Sequence, residues 1–500
     1  MARLPLLVIP LVSALLAQSS ERAGPEQQLA GLLKQLASVY QAIEENYADP
    51  VIPEQVFYGG AIPGLLRALD PFSAFLDPDQ FRSLKDMQQS VQKGFGSVVS
   101  IAPGRVVVLQ TLPGTPSARG GLSAGDEIVE VNGRRIDRLE VEELVELLRQ
   151  SRQQQARLRV RRPGLATLPS FVLTPDELAS PSVSRAFLLR PGAGYIKIES
   201  FEDATVEELR KALDSLGGSK LRGLVLDLRD NPGGVLPAAL HTASLFLRPG
   251  QLILTVRGRT GQGEQIKVPD GARPFEFPLA VILNGKSASA AEIVAGALQD
   301  HDRATIVGEP SFGKGLVQRV FELPEITGLA LTTALYFTPS GRSIQRPVAQ
   351  LRRTEPDSGS FRTAGGRQVK AGGGIAPDRV VEPEGLSPFR AALEASSSFL
   401  DFARRYTSER GKVGLDFEVS PELFDEFRAF AGERQIRPSL SEWSANRSYI
   451  RSRLKTELFN LGLGVEKGDE VAAQRDPQIQ EALRVVTASA RQSKGPPSPR

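Results

Sequence analysis

Apolar positions along the chain recur at different periods, and each change of period marks a new segment. Over residues 27–47 they return every three to four positions, at Leu29, Leu32, Leu33, Leu36, Val39, Tyr40 and Ile43, which predicts an amphipathic helix. A second helix is expected over 59–69, followed by the turn-rich stretch Leu69-Asp70-Pro71-Phe72-Ser73-Ala74-Phe75-Leu76-Asp77-Pro78, read as the structural end of a helical cap. Residues 98–101 and 106–109 have strand composition. Asp137 and Glu140 offer a capping box to a helix over 141–148. Residues 157–162 (RLRVRR) alternate like an edge strand with a solvated, charged face. From 192 to 308, short apolar runs at 192–200, 224–229, 279–283 and 305–308 alternate with helical stretches at 205–216, 236–246 and 290–298. Strand–helix alternation of this kind predicts an α/β core. A strand is expected from 331, turning at Pro339-Ser340-Gly341, and 345–374 is polar and glycine-rich. After Pro388 the period is helical throughout, over 389–406, 421–431, 439–461 and 477–488.

Five hundred residues leave room for about three domains. The 41% hydrophobic share supports real cores, and a net charge of +3 gives no reason to expect a nucleic-acid partner. The chain has no cysteine, which excludes disulfides, cysteine nucleophiles, thiolate zinc sites and a lipid-modified cysteine anchor. Residues 1–20 (MARLPLLVIPLVSALLAQSS) read as a secretory signal with a single Arg3, too short for a comfortable membrane span. Cleavage after Ala17 is expected, although Leu15 fits the small-residue rule poorly, so an uncleaved anchor stays open. The expectation is an exported protein, periplasmic or otherwise extracytoplasmic.

The chemistry concentrates in residues 281–321. An apolar strand leads through the Asn284-Gly285 turn to Ser287 and Ser289, and a helix follows. A serine at such a junction lies beside free backbone N–H groups and the positive end of a helix dipole, where an oxyanion is stabilised. Serine needs a base, and the chain holds only two histidines, His241 and His301. Lys314, in the glycine-flanked turn Glu309-Pro310-Ser311-Phe312-Gly313-Lys314-Gly315, serves as base only if burial lowers its pKa. Taken singly, either serine is a helix cap and Lys314 a solvated cation. The GxxxxGK spacing from Gly308 to Lys314 also raises a phosphate loop, but Gly315 stands where that loop needs Ser or Thr, so no nucleotide is expected. A second glycine turn, Asp230-Asn231-Pro232-Gly233-Gly234, ends the strand at 224–229. It offers the Gly233 or Gly234 amide as an oxyanion donor.

These residues together resemble the carboxyl-terminal processing peptidases, or tail-specific proteases, which are serine–lysine enzymes. The resemblance is carried by Ser287-Ala288-Ser289-Ala290-Ala291-Glu292-Ile293, Gln299-Asp300, Arg303-Ala304, Val307-Gly308-Glu309, Phe312-Gly313-Lys314-Gly315 and Val317-Gln318, and by TPSGRSIQ at 338–345 and GGI.PD at 373–378. It implies Ser289 as nucleophile, Lys314 as base and Gln318 as the residue that orients the lysine, with Asp300 in support in some members. It also implies an oxyanion site at the Ala290 amide and one of the two glycine amides.

Residues 91–165 look like a PDZ domain, on the match from Gly114 to Gly133 that ends in Gly125-Asp126 and Val131-Asn132-Gly133. Such a domain binds a peptide tail by strand addition, and Gly94, Phe95 and Gly96 would hold the terminal carboxylate. The organisation so implied is multidomain α/β: a signal at 1–20, a helical region at 25–90, the PDZ domain at 91–165 and a serine-peptidase core at 166–385. A helical domain at 386–490 and a disordered tail at 491–500 complete it. Expected partners are proteins or peptides with accessible C-terminal tails. An activating adaptor and self-association are left open, and no metal or other cofactor is expected. The alternative reading is a non-catalytic PDZ adaptor or chaperone of the cell envelope.

Overall fold

The computed structural model describes residues 25–88, 91–259, 263–348 and 359–492. The signal expected at 1–20 and the tail from 493 onward lie outside them. Among the described residues, those up to Leu65 form one compact unit and those from Leu66 onward another. The first is helical, with Pro25–Asn46 followed by Pro53–Val56 and a π turn at Phe57–Ala61. Its second helical run starts earlier than the expected 59, because Pro53 suits the first turn of a helix.

The second unit is built on a six-stranded sheet in the order Val183–Arg190, Ala193–Ile198, Gly223–Asp227, Leu279–Leu283, Ala304–Gly308, Arg379–Val380. The first pair is antiparallel and the others are parallel. Strands buried on both faces need apolar residues at every position, which explains the uninterrupted runs LVL and LAVIL. Leu224, Leu226, Val281 and Ile306 face the helices Thr205–Ser215, Leu236–Ser244 and Ala290–Asp300. Val225, Ala280, Ile282 and Val307 face the opposite way, onto Ile479, Ala482, Leu483 and Val486 of the helix Pro477–Gln492. That last helix, expected within a separate C-terminal domain, is thus one layer of the peptidase core.

A second, antiparallel sheet joins Ala74–Leu76, Thr327–Phe337, Leu252–Gly258 and Gly263–Lys267, with Leu316–Leu323 also on Thr327–Phe337. The PDZ-like module is a third sheet, in the order Ser97–Ala102, Arg105–Thr111, Glu127–Val131, Ala156–Arg161, Ser170–Leu173. Ala156–Arg161 lies between two partners, so the expected edge strand is internal. Its arginines face outward while Ala156, Leu158 and Val160 are buried. The sheet also takes in Ser170–Leu173, beyond the expected limit at 165. The helix Val141–Ser151 is capped by Glu140, whose amide donates to Glu143 (3.0 Å), while Asp137 pairs instead with Arg135. Val91–Gly94 pairs antiparallel with Asp176–Ala179, so the chain enters and leaves the module side by side, as an inserted domain must.

The helices Pro388–Ala395, Ser398–Arg410, Pro421–Glu433 and Arg447–Gly462 enclose an aromatic cluster of Phe399, Phe402, Phe427, Phe430 and Trp443. Val107 of the PDZ-like sheet joins that cluster. Arg105 forks onto Asp401, and Arg404 donates to the Gly125 carbonyl (2.9 Å). These helices therefore seat the PDZ-like module.

Candidate active site

The strand Leu279–Leu283 delivers the chain to the nucleophile turn at its C-terminal end, where the open ends of a parallel sheet leave a crevice. The two serines there differ. Ser287 is fully buried, donates to the Leu228 carbonyl (2.8 Å) and accepts from the Asn284 amide (3.0 Å), so it ties the turn to the next strand. Ser289 caps the helix Ala290–Asp300 with φ 53° and ψ −112°. L-residues rarely adopt that conformation, which holds only where the surroundings over-determine it and which lifts the side chain out of the turn.

Glu292, three residues on and fully buried, does the over-determining. Its Oε2 accepts from the amides of Ser289 (2.8 Å) and Lys314 (2.9 Å), and its Oε1 from the Gly313 amide (2.8 Å) and the Ser311 hydroxyl (2.5 Å). One carboxylate therefore clamps the serine turn to the lysine turn. Burial pushes its pKa up, and the four hydrogen bonds oppose that rise. Tyr336, also buried, sits between the same two turns, its hydroxyl 2.9 Å from the Lys314 carbonyl and 3.2 Å from that of Ser289. Gly315 is needed for close approach: a Cβ there would lie 2.9 Å from the Gln345 backbone nitrogen, and the Gly315 amide donates to Gln345 Oε1 (2.8 Å).

Lys314 is half-buried, and its Nζ donates to Gln318 Oε1 at 2.5 Å. The Gln318 amide group donates in turn to the Phe72 carbonyl (2.7 Å), and the Phe72 ring lies 5.6 Å from Nζ. Burial pulls the Lys314 pKa down, while the carboxylates of Asp70 and Glu292 hold it up. A lysine in this setting can reach the neutral form that a general base requires.

Ser289, Ala290, Lys314, Gln318, Gly233 and Gly234 line one cavity of about 680 Å³, with Leu76, Leu236, Ile293, Leu316 and Val320 as apolar wall. The two glycines have distinct roles. A Cβ on Gly233 would lie 2.8 Å from that of Ser289 and 3.0 Å from the Ala290 nitrogen, and the Gly233 amide already donates to Asn231 Oδ1 (2.8 Å). Gly234 packs against Phe201, whose carbonyl would lie 1.9 Å from an added Cβ. Among the described residues, the amides of Gly234 and Ala290 have no partner.

Asp300 is not brought to this group. It ends the eleven-residue helix that starts after Ser289, about 15 Å along the axis, and there it binds the Arg342 guanidinium and the Ser340 amide. His301, the rival base, is 2.7 Å from the Leu252 carbonyl and 3.2 Å from Gln251 at that same far end. His241 is exposed on the helix Leu236–Ser244. In the PDZ-like module, the carbonyls of Phe95 and Gly96 accept from Ser117 and Leu112 (both 2.8 Å), and the Phe95 and Gly96 amides have no partner among the described residues. Ser97–Ala102, directly after Gly96, lies at the sheet edge.

Sequence reasoning assigned no role to Glu292, Tyr336 or Phe72. The Ser289-Ala-Ala-Glu292 spacing is a capping-box pattern and was a usable signal for the first. Nothing local marks the other two.

Comparison with known proteins identifies the family. Peptidase family S41 matches residues 192–358 and the PDZ domain matches residues 107–162. A carboxy-terminal-processing protease of Bartonella bacilliformis is 34% identical over 324 residues, covering 64% of this chain and 74% of that protein. The carboxy-terminal processing protease CtpA of Bacillus subtilis is 30% identical over 335 residues, 67% and 70% of the two chains. The solved structure of a photosystem II D1 C-terminal processing protease aligns at 27% identity and a TM-score of 0.39, over 70% of this chain and 86% of that one. The chain is therefore a serine-type peptidase of family S41 with a PDZ domain, and it belongs to the carboxy-terminal processing proteases.

Proposed function

We propose that this protein cleaves polypeptides near their C-terminal tails by a Ser289–Lys314 mechanism. The observation that carries the reading is the half-buried Lys314, bonded to Gln318 at 2.5 Å, in the same cavity as the strained Ser289. Neutral Lys314 takes the Ser289 hydroxyl proton as Oγ attacks the peptide carbonyl. The oxyanion is received by the Ala290 and Gly234 amides, both free of internal partners among the described residues. Gly234 is preferred to Gly233 because the Gly233 amide is already committed to Asn231. As the C–N bond breaks, the lysine ammonium returns the proton to the leaving amine. Lys314 then deprotonates the water that releases the acyl group. Gln318 holds Nζ within the cavity that Ser289 also lines. A tail adding to the edge strand Ser97–Ala102 would place its carboxylate at the amides of Gly94, Phe95 and Gly96.

The apolar segment at 1–20 favours an extracytoplasmic site of action. Among the described residues no helix is long and apolar enough to cross a membrane. An activating adaptor and assembly of several copies fit the same reading.

The test is cleavage of an unfolded reporter with an apolar C-terminal tail by wild type, Ser289→Ala and Lys314→Ala. Loss of activity in both variants supports the pair. Activity surviving in Lys314→Ala removes the lysine from the base role, and tail binding without cleavage in wild type points to the adaptor reading.

A further inference from the structure

We propose that the turn Asp70–Ser73, at the start of the second compact unit, is part of the machinery that positions the base: it holds Gln318 in register and covers Lys314 with the Phe72 ring. The inference rests on the Ser289–Lys314 reading above.

The turn is built by its own carboxylate. Asp70 is almost fully buried, its Oδ1 accepting from the amides of Phe72 (2.8 Å) and Ser73 (2.7 Å) and its Oδ2 from the Ser73 hydroxyl (2.8 Å). An Asx turn of this kind fixes the direction of the carbonyls that follow it. The turn is then locked onto the sheet that carries Gln318. Ser73 Oγ accepts from the Thr332 amide (3.1 Å), Ala74 pairs with Ala330, and Gln318 pairs with Thr332 on the other side of the same strand. In this register the Phe72 carbonyl meets the Gln318 side-chain amide at 2.7 Å. An amide whose NH₂ is held by a carbonyl must present its oxygen on the other side, and that oxygen accepts from Lys314 at 2.5 Å. The orientation of Gln318 is thus dictated by a residue 246 positions away in the chain.

The same turn acts on the lysine in two opposed ways. The Phe72 ring, 5.6 Å from Nζ, displaces water from one side of the lysine, which favours the neutral amine and at this distance outweighs the weak pull of the ring face on the ammonium. Asp70 places a carboxylate nearby, which favours the ammonium. The charged groups facing Lys314 are Asp70 from this turn and Glu292 from the nucleophile helix. The turn therefore sets the balance between a lysine basic enough to take a proton and one neutral enough to accept it.

The test uses the full chain and compares wild type, Phe72→Ala, Phe72→Leu and Asp70→Asn. The readouts are the pH profile of kcat/KM on the unfolded reporter and the titration of Lys314 itself, followed by ¹³Cε-lysine NMR with Lys314→Arg to assign the signal. Asn at 70 can still accept from both amides, so the turn survives while the charge is lost. Phe72→Ala should move the acid limb and the NMR midpoint upward by about one pH unit, with kcat/KM at neutral pH falling about tenfold. Phe72→Leu should recover most of that loss. Asp70→Asn should move both downward. Opposite shifts cannot arise from simple loss of stability, which thermal melts would record separately. Midpoints that coincide for all four proteins would overturn the proposal. If wild type shows no hydrolysis, the proteolytic reading fails, and the Lys314 titration still decides the role of the turn.

Discussion

The two ends of the helix Ala290–Asp300 have opposite designs. At its N-terminus a serine sits at φ 53°, two nearby amides lack partners among the described residues, and the cavity opens directly onto them. At its C-terminus the charged side chains are paired, and among them only the buried Arg342 Nε lacks a partner among the described residues. Asp300 binds Arg342, a fully buried guanidinium that also reaches Gln299 and the Lys370 carbonyl. Gln299 in turn binds the Ala376 carbonyl and Asp378. The difference teaches where this fold spends its stability. Strain and unsatisfied donors are tolerable at the reactive end because the opposite end is anchored by a buried ion-pair network.

That contrast makes predictions of decreasing size. Ser289→Ala should lower kcat by at least about 10⁴-fold, as removal of a nucleophile does in other serine peptidases, with the melting temperature close to wild type or slightly lowered, because alanine keeps the φ 53° backbone and loses the serine cap. Arg342→Ala should act in the other direction. It leaves Asp300 buried without its counter-charge and should cost about 3–5 kcal/mol of stability in chemical denaturation. The kcat of the protein that remains folded should stay close to wild type, and a parallel collapse of kcat would show that the two ends are not separable. Gly234→Ala forces a methyl group toward the Phe201 carbonyl and displaces one of the two proposed oxyanion donors. A fall in kcat of about 10²-fold with little change in KM is expected. An equal loss in KM would place Gly234 in ground-state binding instead. Glu292→Gln replaces one acceptor oxygen by an NH₂ that faces two donors. It should cost about 1–3 kcal/mol in stability and about tenfold in kcat, the mixed effect expected of a residue that bridges structure and site.

Much of the peptidase core was legible because it is local. A five-residue apolar run such as LAVIL, ending at a turn, reads as a strand covered on both faces, and a glycine turn before a helix offers free amides. The resemblance at 287–318 likewise lies within a single stretch, so it could name the serine, the lysine and the glutamine. Errors occurred where position in the sheet mattered. Alternation at 157–162 is the same for an edge strand and an internal one, and only the partner Ser170–Leu173 distinguishes them.

The sequence by itself determined the strand–helix order of the core, a PDZ-like module ahead of it, and the residue types available for acyl transfer. Tertiary structure alone decided which serine is tied into the turn, which glycine amide is left without a partner, and why Asp300 and His301 stand apart from the chemistry. It also decided that the helix Pro477–Gln492 covers the core sheet and that Phe72 reaches Gln318. The physical reason is common to all of these. Periodicity and spacing report how a residue relates to its near neighbours, whereas the partner of a buried amide, carboxylate or ring is set by packing between segments hundreds of residues apart, and no local pattern encodes it.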